Sequence, residues 1–143
     1  MSTKDMRSQT IERIKAWNLH SLNAFAAFYA ADATVYDPMY PEPLQGRDAI
    51  RKDFEEFTTA FPDADFTPGA IIQSGDTVAF ELTAGGTHTG PLAGPGGSIP
   101  ATNRRVTMQI AAFARIDSEG LVAEERRYFD VASLMQQLGL VPA

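Results

Sequence analysis

Two side chains in this sequence have the type and setting for acid–base chemistry, His88 and Asp130. From Thr77 to Thr89 the residues alternate as in a strand, so Val78, Phe80, Leu82, Ala84, Gly86 and His88 share one face, and Glu81, Thr83 and Thr87 the other. His88 thus continues an apolar face that points into a core or a pocket. An imidazole there can give or take a proton near neutral pH. The plainer reading, which bare pattern favours, is a structural histidine hydrogen-bonded at the rim of a sheet. Asp130 immediately precedes the last helical pattern, and its plainer role is that helix's N-cap. At the mouth of an apolar pocket the same carboxyl would have its pKa raised by desolvation, which suits removal of a proton next to a carbonyl.

The stretch leading to Asp130 is unusual. Glu124, Arg126, Tyr128 and Asp130 fall on one face of a strand, and Leu121, Ala123, Glu125, Arg127 and Phe129 on the other. Neither face is cleanly apolar, which points to charges facing a polar cavity or a subunit interface. A solvated strand carrying cross-strand ion pairs fits the pattern equally well. The glycine-rich run from Gly85 to Gly97 has neither the lysine nor the following helix of a phosphate-binding loop, and reads as a flexible connection.

The elements that must position these groups follow from pattern. Met6, Thr10, Ile14 and Trp17 lie near one helical face over 5–17. Ser21 caps a second helix running to Ala30, with Leu22, Phe25, Ala26 and Tyr29 as its apolar stripe. A short strand over 32–37 ends at Pro38 and a proline-rich loop, which can be neither helix nor central strand. A third helix after Gly46 carries Ile50, Phe54, Phe57 and Phe61 and stops at Pro62. From 64 to 130 the pattern is strand and turn, with turns at 74–76 and 117–120, and a closing helix spans 131–138 with Gly139 just beyond it. Helices, then a run of antiparallel strands, then a helix is an α+β order, and with no linker or repeat the whole of 1–143 reads as one domain. Helices laid across a strongly curved sheet leave a cavity between them, a common place for a ligand.

Composition narrows the function. The 143 residues contain no cysteine and only two histidines, His20 and His88, so no disulfide framework and no metal site is expected. A net charge of −6 argues against a nucleic-acid or anionic-membrane surface. The first residues are polar, without the apolar run of a signal peptide, and a cytoplasmic protein is expected.

Trp17-Asn18, Asp37-Pro38, Gly46-Arg47-Asp48-Ala49-Ile50, Phe61-Pro62-Asp63, Gly86-Thr87-His88-Thr89-Gly90, Ile99-Pro100-Ala101-Thr102, Tyr128-Phe129-Asp130 and Gln137-Leu138-Gly139-Leu140 occur in this order along nearly the whole chain. No single motif is specific, but the ordered set resembles the SnoaL-like polyketide cyclases of the nuclear transport factor 2-like superfamily. The chain departs from the common family pattern at Ser21 and at Ala101-Thr102-Asn103. The resemblance implies a cystatin-like α+β barrel: a cone-shaped, curved, mixed or antiparallel sheet wrapped around N-terminal helices. It also implies homodimers formed through the outer face of the sheet. It further implies an intramolecular aldol ring closure with neither metal nor organic cofactor, on a small apolar substrate. Asp130 matches the family's base, His88 its pocket histidine, and Asn18, beside Trp17, a substrate-contacting polar residue. Tyr29, Tyr128 and Arg126 join the substrate-binding set from their facing and spacing.

Other functions remain open from sequence. Ketosteroid isomerase-like and epoxide hydrolase-like enzymes share such a cone. The latter calls for an Asp-Arg-Asp arrangement, of which Arg126 and Asp130 supply part while a second aspartate is missing. A domain that only holds a small ligand, or only dimerises, is the non-catalytic alternative. An open cavity lined by both His88 and Asp130 would favour the enzyme.

Overall fold

The computed structural model describes residues 5–94 and 96–142; the polar start at residues 1–4 and Pro95, within the glycine-rich run, lie outside the described residues. The elements follow in the order α1 (Asp5–Asn18), α2 (Leu22–Ala26), β1 (Tyr29–Tyr36), β2 (Leu44–Gln45), α3 (Arg47–Ala60), β3 (Asp65–Ser74), β4 (Thr77–Thr87), β5 (Leu92–Gly94), β6 (Gly97–Ile99), β7 (Arg105–Ile116), β8 (Val122–Tyr128) and α4 (Val131–Gln137). The architecture is α+β, as read from the sequence.

The main sheet has the order β2-β1-β8-β7-β4-β3. Its pairs are antiparallel except β1 with β8, which are parallel, so the sheet is mixed. The hairpin turn between β3 and β4 holds Gly75 at φ +58°, a left-handed conformation that glycine adopts at little cost. β5 and β6 pair as a separate hairpin inside the run read as a loop.

Two boundaries differ from the sequence reading. The second helix ends at Ala26, and Tyr29 opens a strand. Phe25 and Ala26 bury its one turn, whereas Tyr29, Ala33 and Val35 are buried from a strand whose register against β8 shifts between Tyr29 and Thr34. Ser21 does stand at the N-cap but its hydroxyl makes no capping bond. The other difference is β2, too short to show in periodicity; it pairs with Thr34 and Val35 just before α3. Gly46 then caps α3 at φ +86°, where an added side chain would be strained.

The helices cover one face of the sheet. Trp17 of α1 stacks on Phe66 at 4.1 Å and meets Phe54 edge-on at 5.8 Å, while Phe54 packs against Phe25 at 4.8 Å. Such aromatic pairs add to the stability that apolar burial supplies. Residues paired across the sheet share a face, so two kinds of row can be followed. Phe80, Ala112 and Arg127 form an inner row, with Val78, Ala114, Glu125 and Val35 beside it. Ile72, Ala79, Phe113, Arg126 and Tyr36 form an outer one. Arg126 and Arg127 therefore point to opposite sides of the sheet. No helix of the described residues is long and apolar enough to cross a membrane.

Candidate functional site

A cavity of about 110 Å³ lies between the helices and the inner face of the sheet. Its apolar wall comes from β4, β5, β7 and α4, through Gly86, Leu92, Val106, Met108, Ile110 and Leu134. Trp17, Phe57, Phe61 and Phe66 supply an aromatic side. The polar groups gather where the β1–β2 loop, α3 and β8 meet: Asp37, Tyr40, Asp53, Glu56 and Arg127.

These polar groups form one connected set. Arg127 Nη1 donates to Asp37 Oδ2 at 3.1 Å and to Asp53 Oδ2 at 3.0 Å. Tyr40 donates its hydroxyl to Asp53 Oδ1 at 2.7 Å, and the backbone N–H of Met39 donates to Asp37 Oδ1 at 2.8 Å. Behind the cavity wall, Arg127 Nε donates to Glu125 Oε2 at 2.8 Å; the other oxygen of Glu125 pairs with Arg13. The Arg127 guanidinium also lies 5.7 Å from the centroid of the Trp17 ring, a cation–π contact.

The surroundings tune each group. Burial pushes the Asp53 carboxyl up; Arg127 opposes this and neighbouring Asp37 reinforces it. Burial likewise pushes the Tyr40 phenol up, and Asp53 adds to it. Burial would also raise Glu125, but the Arg13 and Arg127 guanidiniums outweigh it and hold that carboxyl down at about 2. The site thus combines a carboxyl that keeps its proton unusually well, a second carboxyl on the same nitrogen, a phenol and a fixed cation. Such a set can remove a proton at one point of a ligand and return one at another. Among the described residues no cluster of His, Cys, Asp and Glu could hold a metal ion.

Of the residues singled out by sequence, the structure places only Trp17 on the cavity. Asp130 is exposed and caps α4, accepting from Ser133 N at 3.0 Å, which is its plainer sequence role. His88 is 0% exposed and packs on the far side of Phe61, ring centroids 5.4 Å apart. Its Nδ1 accepts from Thr102 N at 3.2 Å and lies 3.0 Å from the Thr102 hydroxyl, so the neutral ring carries its proton on Nε2. Burial lowers the pKa of this imidazole. Its backbone also pairs with Asn103 and Arg104, tying together the two ends of the segment that carries the β5–β6 hairpin. Next to it, Gly90 lies so close to α3 that a Cβ there would sit 2.0 Å from Thr59 O.

Asn18 fastens the end of α1 to β3, exchanging bonds of 2.8 and 2.6 Å with the backbone of Phe66. Tyr29 is fully buried and donates to Glu125 Oε2 at 2.9 Å, outside the cavity lining. Tyr128 and Arg126 lie on the outer face, Tyr128 edge-on to Phe113 at 6.1 Å and Arg126 4.2 Å over the Tyr36 ring. The anticipated cavity lined by both His88 and Asp130 is therefore not what the structure holds.

The residues that do gather there left traces in the sequence. Asp37 sits in the Asp37-Pro38 motif. Asp53 lies on the helical stripe of Ile50, Phe54 and Phe57, a charge on an otherwise apolar face. Arg127 and Glu125 stood on the face of their strand opposite to Asp130. Asp37, Arg127 and Asp53 supply the Asp-Arg-Asp arrangement that Arg126 and Asp130 were expected to begin.

The family model described as SnoaL-like polyketide cyclase matches residues 9–138. Among solved structures, AclR from Streptomyces galilaeus, a proposed hydroxylase, is 25% identical with a TM-score of 0.83, covering 99% of this chain and 85% of its own. IdmH from Streptomyces antibioticus, a proposed polyketide cyclase, is 25% identical with a TM-score of 0.75 over 94% of this chain and 98% of its own. SalBIII, an epoxide hydrolase/cyclase-like enzyme in pyran ring formation of the polyether salinomycin, shares the fold at 21% identity and a TM-score of 0.74 over 91% of this chain and 94% of its own. No curated protein matches the chain by sequence.

Proposed function

The chain belongs to the SnoaL-like polyketide cyclase family, and from that premise we propose that it is a cofactor-free acid–base enzyme closing or rearranging a small apolar carbonyl compound in the cavity. The observation that carries this reading is the pair Asp37 and Asp53 bridged by Arg127 Nη1 at the polar end of an otherwise apolar and aromatic cavity.

In this mechanism Asp37 takes the proton from the carbon next to the carbonyl. The enolate oxygen develops its charge towards Arg127, whose position is already paid for by folding. The enolate carbon attacks a second carbonyl of the same molecule, and Asp53, with Tyr40 behind it, delivers a proton to the new alkoxide. One proton is taken and one is given, so no external oxidant, reductant or metal enters the balance. The aromatic side and the apolar wall hold the two ends of the ligand together, which supplies the entropic share of the acceleration.

The Asp37–Arg127–Asp53 arrangement also favours a second reading, in which Asp37 activates a hydroxyl or water and Asp53 protonates the oxygen of an opening epoxide. The structural likeness to SalBIII is in keeping with that chemistry.

The test is a turnover assay with small polyketide-like β-dicarbonyl compounds and small epoxides, on the wild type and on Asp53→Asn and Asp37→Asn. The reading expects each variant to lose about 10²–10⁴-fold in kcat. Which compound class turns over decides between the two reactions. A wild type that turns over neither, yet binds these ligands as tightly as Asp53→Asn does, would leave a binding domain and sink both.

A further inference from the structure

We propose that Glu125 is a positioning residue for Arg127, itself held in place by Tyr29 and Arg13, so that groups which never meet the ligand set the aim and the charge of the cavity's polar end. The inference rests on the acid–base reading of the cavity and deepens it.

The geometry runs as a chain of contacts from one side of the fold to the other. Arg13 on α1 donates Nη1 to the Tyr29 hydroxyl at 2.7 Å and pairs with Glu125 Oε1. Tyr29 donates to Glu125 Oε2 at 2.9 Å, and the same oxygen accepts from Arg127 Nε at 2.8 Å. Only at Arg127 does the chain reach the cavity, where Nη1 meets Asp37 and Asp53. Glu125 is 2% exposed and does not line the cavity.

Three features show orientation rather than mere packing. First, Arg127 and Glu125 stand two residues apart on the inner face of β8, so the strand delivers both to neighbouring rows of the core. Second, the neighbours on β7 are Ala112 and Ala114, small residues that leave room for the two long side chains. Third, a guanidinium has a planar fork of donors; fixing Nε on Glu125 fixes where Nη1 points. With Glu125 absent, Arg127 could swivel about its long side chain and lose the bifurcated contact on which both aspartates depend.

The cost of this arrangement is visible as well. Among the described residues, Arg13 Nε and Nη2 are buried without a partner. Two buried arginines around one buried glutamate are not an economical way to hold a core together, since apolar residues of similar size often serve as well or better. An ionic chain at this place in the core is what a requirement on Arg127 would produce.

The groups facing Arg127 are Glu125 from β8, Tyr29 from β1, Asp37 from the β1–β2 loop, and Asp53 from α3. Asp53 faces Arg127, Asp37 and Tyr40. Replacing Glu125 by an uncharged residue leaves the positive charge of Arg127 compensated only on the cavity side. The titration of Asp53 must then move to lower pH.

The experiment uses Glu125→Gln and Tyr29→Phe in the full chain, with two readouts: the carboxyl titration of Asp53 by carbon-detected NMR, which needs no substrate, and the pH profile of kcat/KM. In Glu125→Gln both acid transitions are expected to fall by on the order of one unit. Tyr29→Phe keeps the charge of Glu125 and loosens its aim; a several-fold loss in kcat with an unchanged KM is expected, with a smaller shift of Asp53 in the opposite direction, to higher pH, because a loosened Arg127 lowers that carboxyl less. If Glu125→Gln does not fold, Tyr29→Phe decides alone. A folded variant whose Asp53 titration and pH profile match the wild type, whatever its melting temperature, overturns the proposal. A shifted Asp53 titration without turnover on any compound upholds the positioning and removes the acid–base function; turnover with an unshifted titration does the reverse.

Discussion

Asp37 and Asp53 accept from the same nitrogen of Arg127, at 3.1 and 3.0 Å, although one stands in the loop after β1 and the other mid-helix. Two carboxyls on one N–H group repel each other when both are charged. The repulsion is not shared evenly. Asp53 also loses water to burial, and its carboxyl is raised, while the Tyr40 hydroxyl bonds its outer oxygen. The raised Asp53 carboxyl therefore holds a proton better than an ordinary aspartate does, beside a second carboxyl on the same nitrogen, an arrangement from which one site can do acid and base work.

A stability consequence follows for Asp53→Asn. A carboxyl whose folded pKa is raised adds stability below its unfolded value and loses it as pH rises through the folded value. At pH 8 the wild type therefore bears the cost of a buried charge beside Asp37, and the asparagine variant does not. Asp53→Asn is expected to melt a few degrees higher than the wild type at pH 8 and at about the same temperature near pH 4, while turnover is lost. Calorimetry at the two pH values checks this. A variant that melts lower at pH 8 would show that Arg127 needs the charge of Asp53 more than burial penalises it.

Glu125 predicts the opposite pH behaviour. Its folded pKa is depressed to about 2 from an ordinary value of 4.5. Its contribution is present above the unfolded pKa and disappears as pH falls from about 4.5 towards 2, by on the order of 3 kcal/mol. Acid unfolding of the wild type is expected to steepen within that window, and Glu125→Gln is expected to lose the steep part. Equal slopes in both proteins would mean that Glu125 is not held by its arginines as described.

The fold was legible because its signals are local. Pro62 closing α3, Gly139 beyond α4 and the turns at 74–76 and 117–120 each act through neighbouring residues, and each stands where periodicity put it. The site was legible only in part, because it depends on a two-fold choice of facing. Arg126 and Arg127 are adjacent and of the same type, and nothing within β8 says which face is covered by helices. That is decided by the pairing with β1 and β7. Choosing the face of Asp130 brought Tyr128 and Arg126 with it, all of which lie away from the cavity, and left out Glu125 and Arg127. Tyr29 was misplaced for a related reason: a helical stripe and a strand start share the same apolar residues.

His88 offers a test of placement against motif. Its ring joins the ends of the segment carrying the β5–β6 hairpin through Thr102, and it does not line the cavity. His88→Ala is expected to cost about 1–3 kcal/mol of stability, as for loss of a buried hydrogen-bonded group, and to expose 89–103 to proteolysis. The kcat of the folded fraction should stay within about tenfold of the wild type, because a lost general acid or base costs about 10²–10⁴. A larger loss in a folded variant would return the imidazole to the chemistry.

The outer face carries the remaining expectation, a homodimer. Ile72, Phe113, Tyr36 and Tyr128 are exposed there, and Ile72, Phe113 and Tyr36 stand in one row across the sheet with Arg126 stacked on Tyr36. Scattered exposed apolar residues are ordinary, but aromatic side chains and an arginine aligned on one strand row are the composition of an interface centre. We propose that a second copy of the chain covers this face. Phe113→Glu would then place a carboxylate at the centre of the interface, against its own symmetry mate or a neighbouring ring. Sedimentation is expected to show a dimer for the wild type and a monomer for the variant, with the titration of Asp53 on the inner face unmoved. A monomeric wild type would leave the outer face as open surface and confine the function to the single chain; a variant that stays dimeric would place the interface on another part of the molecule.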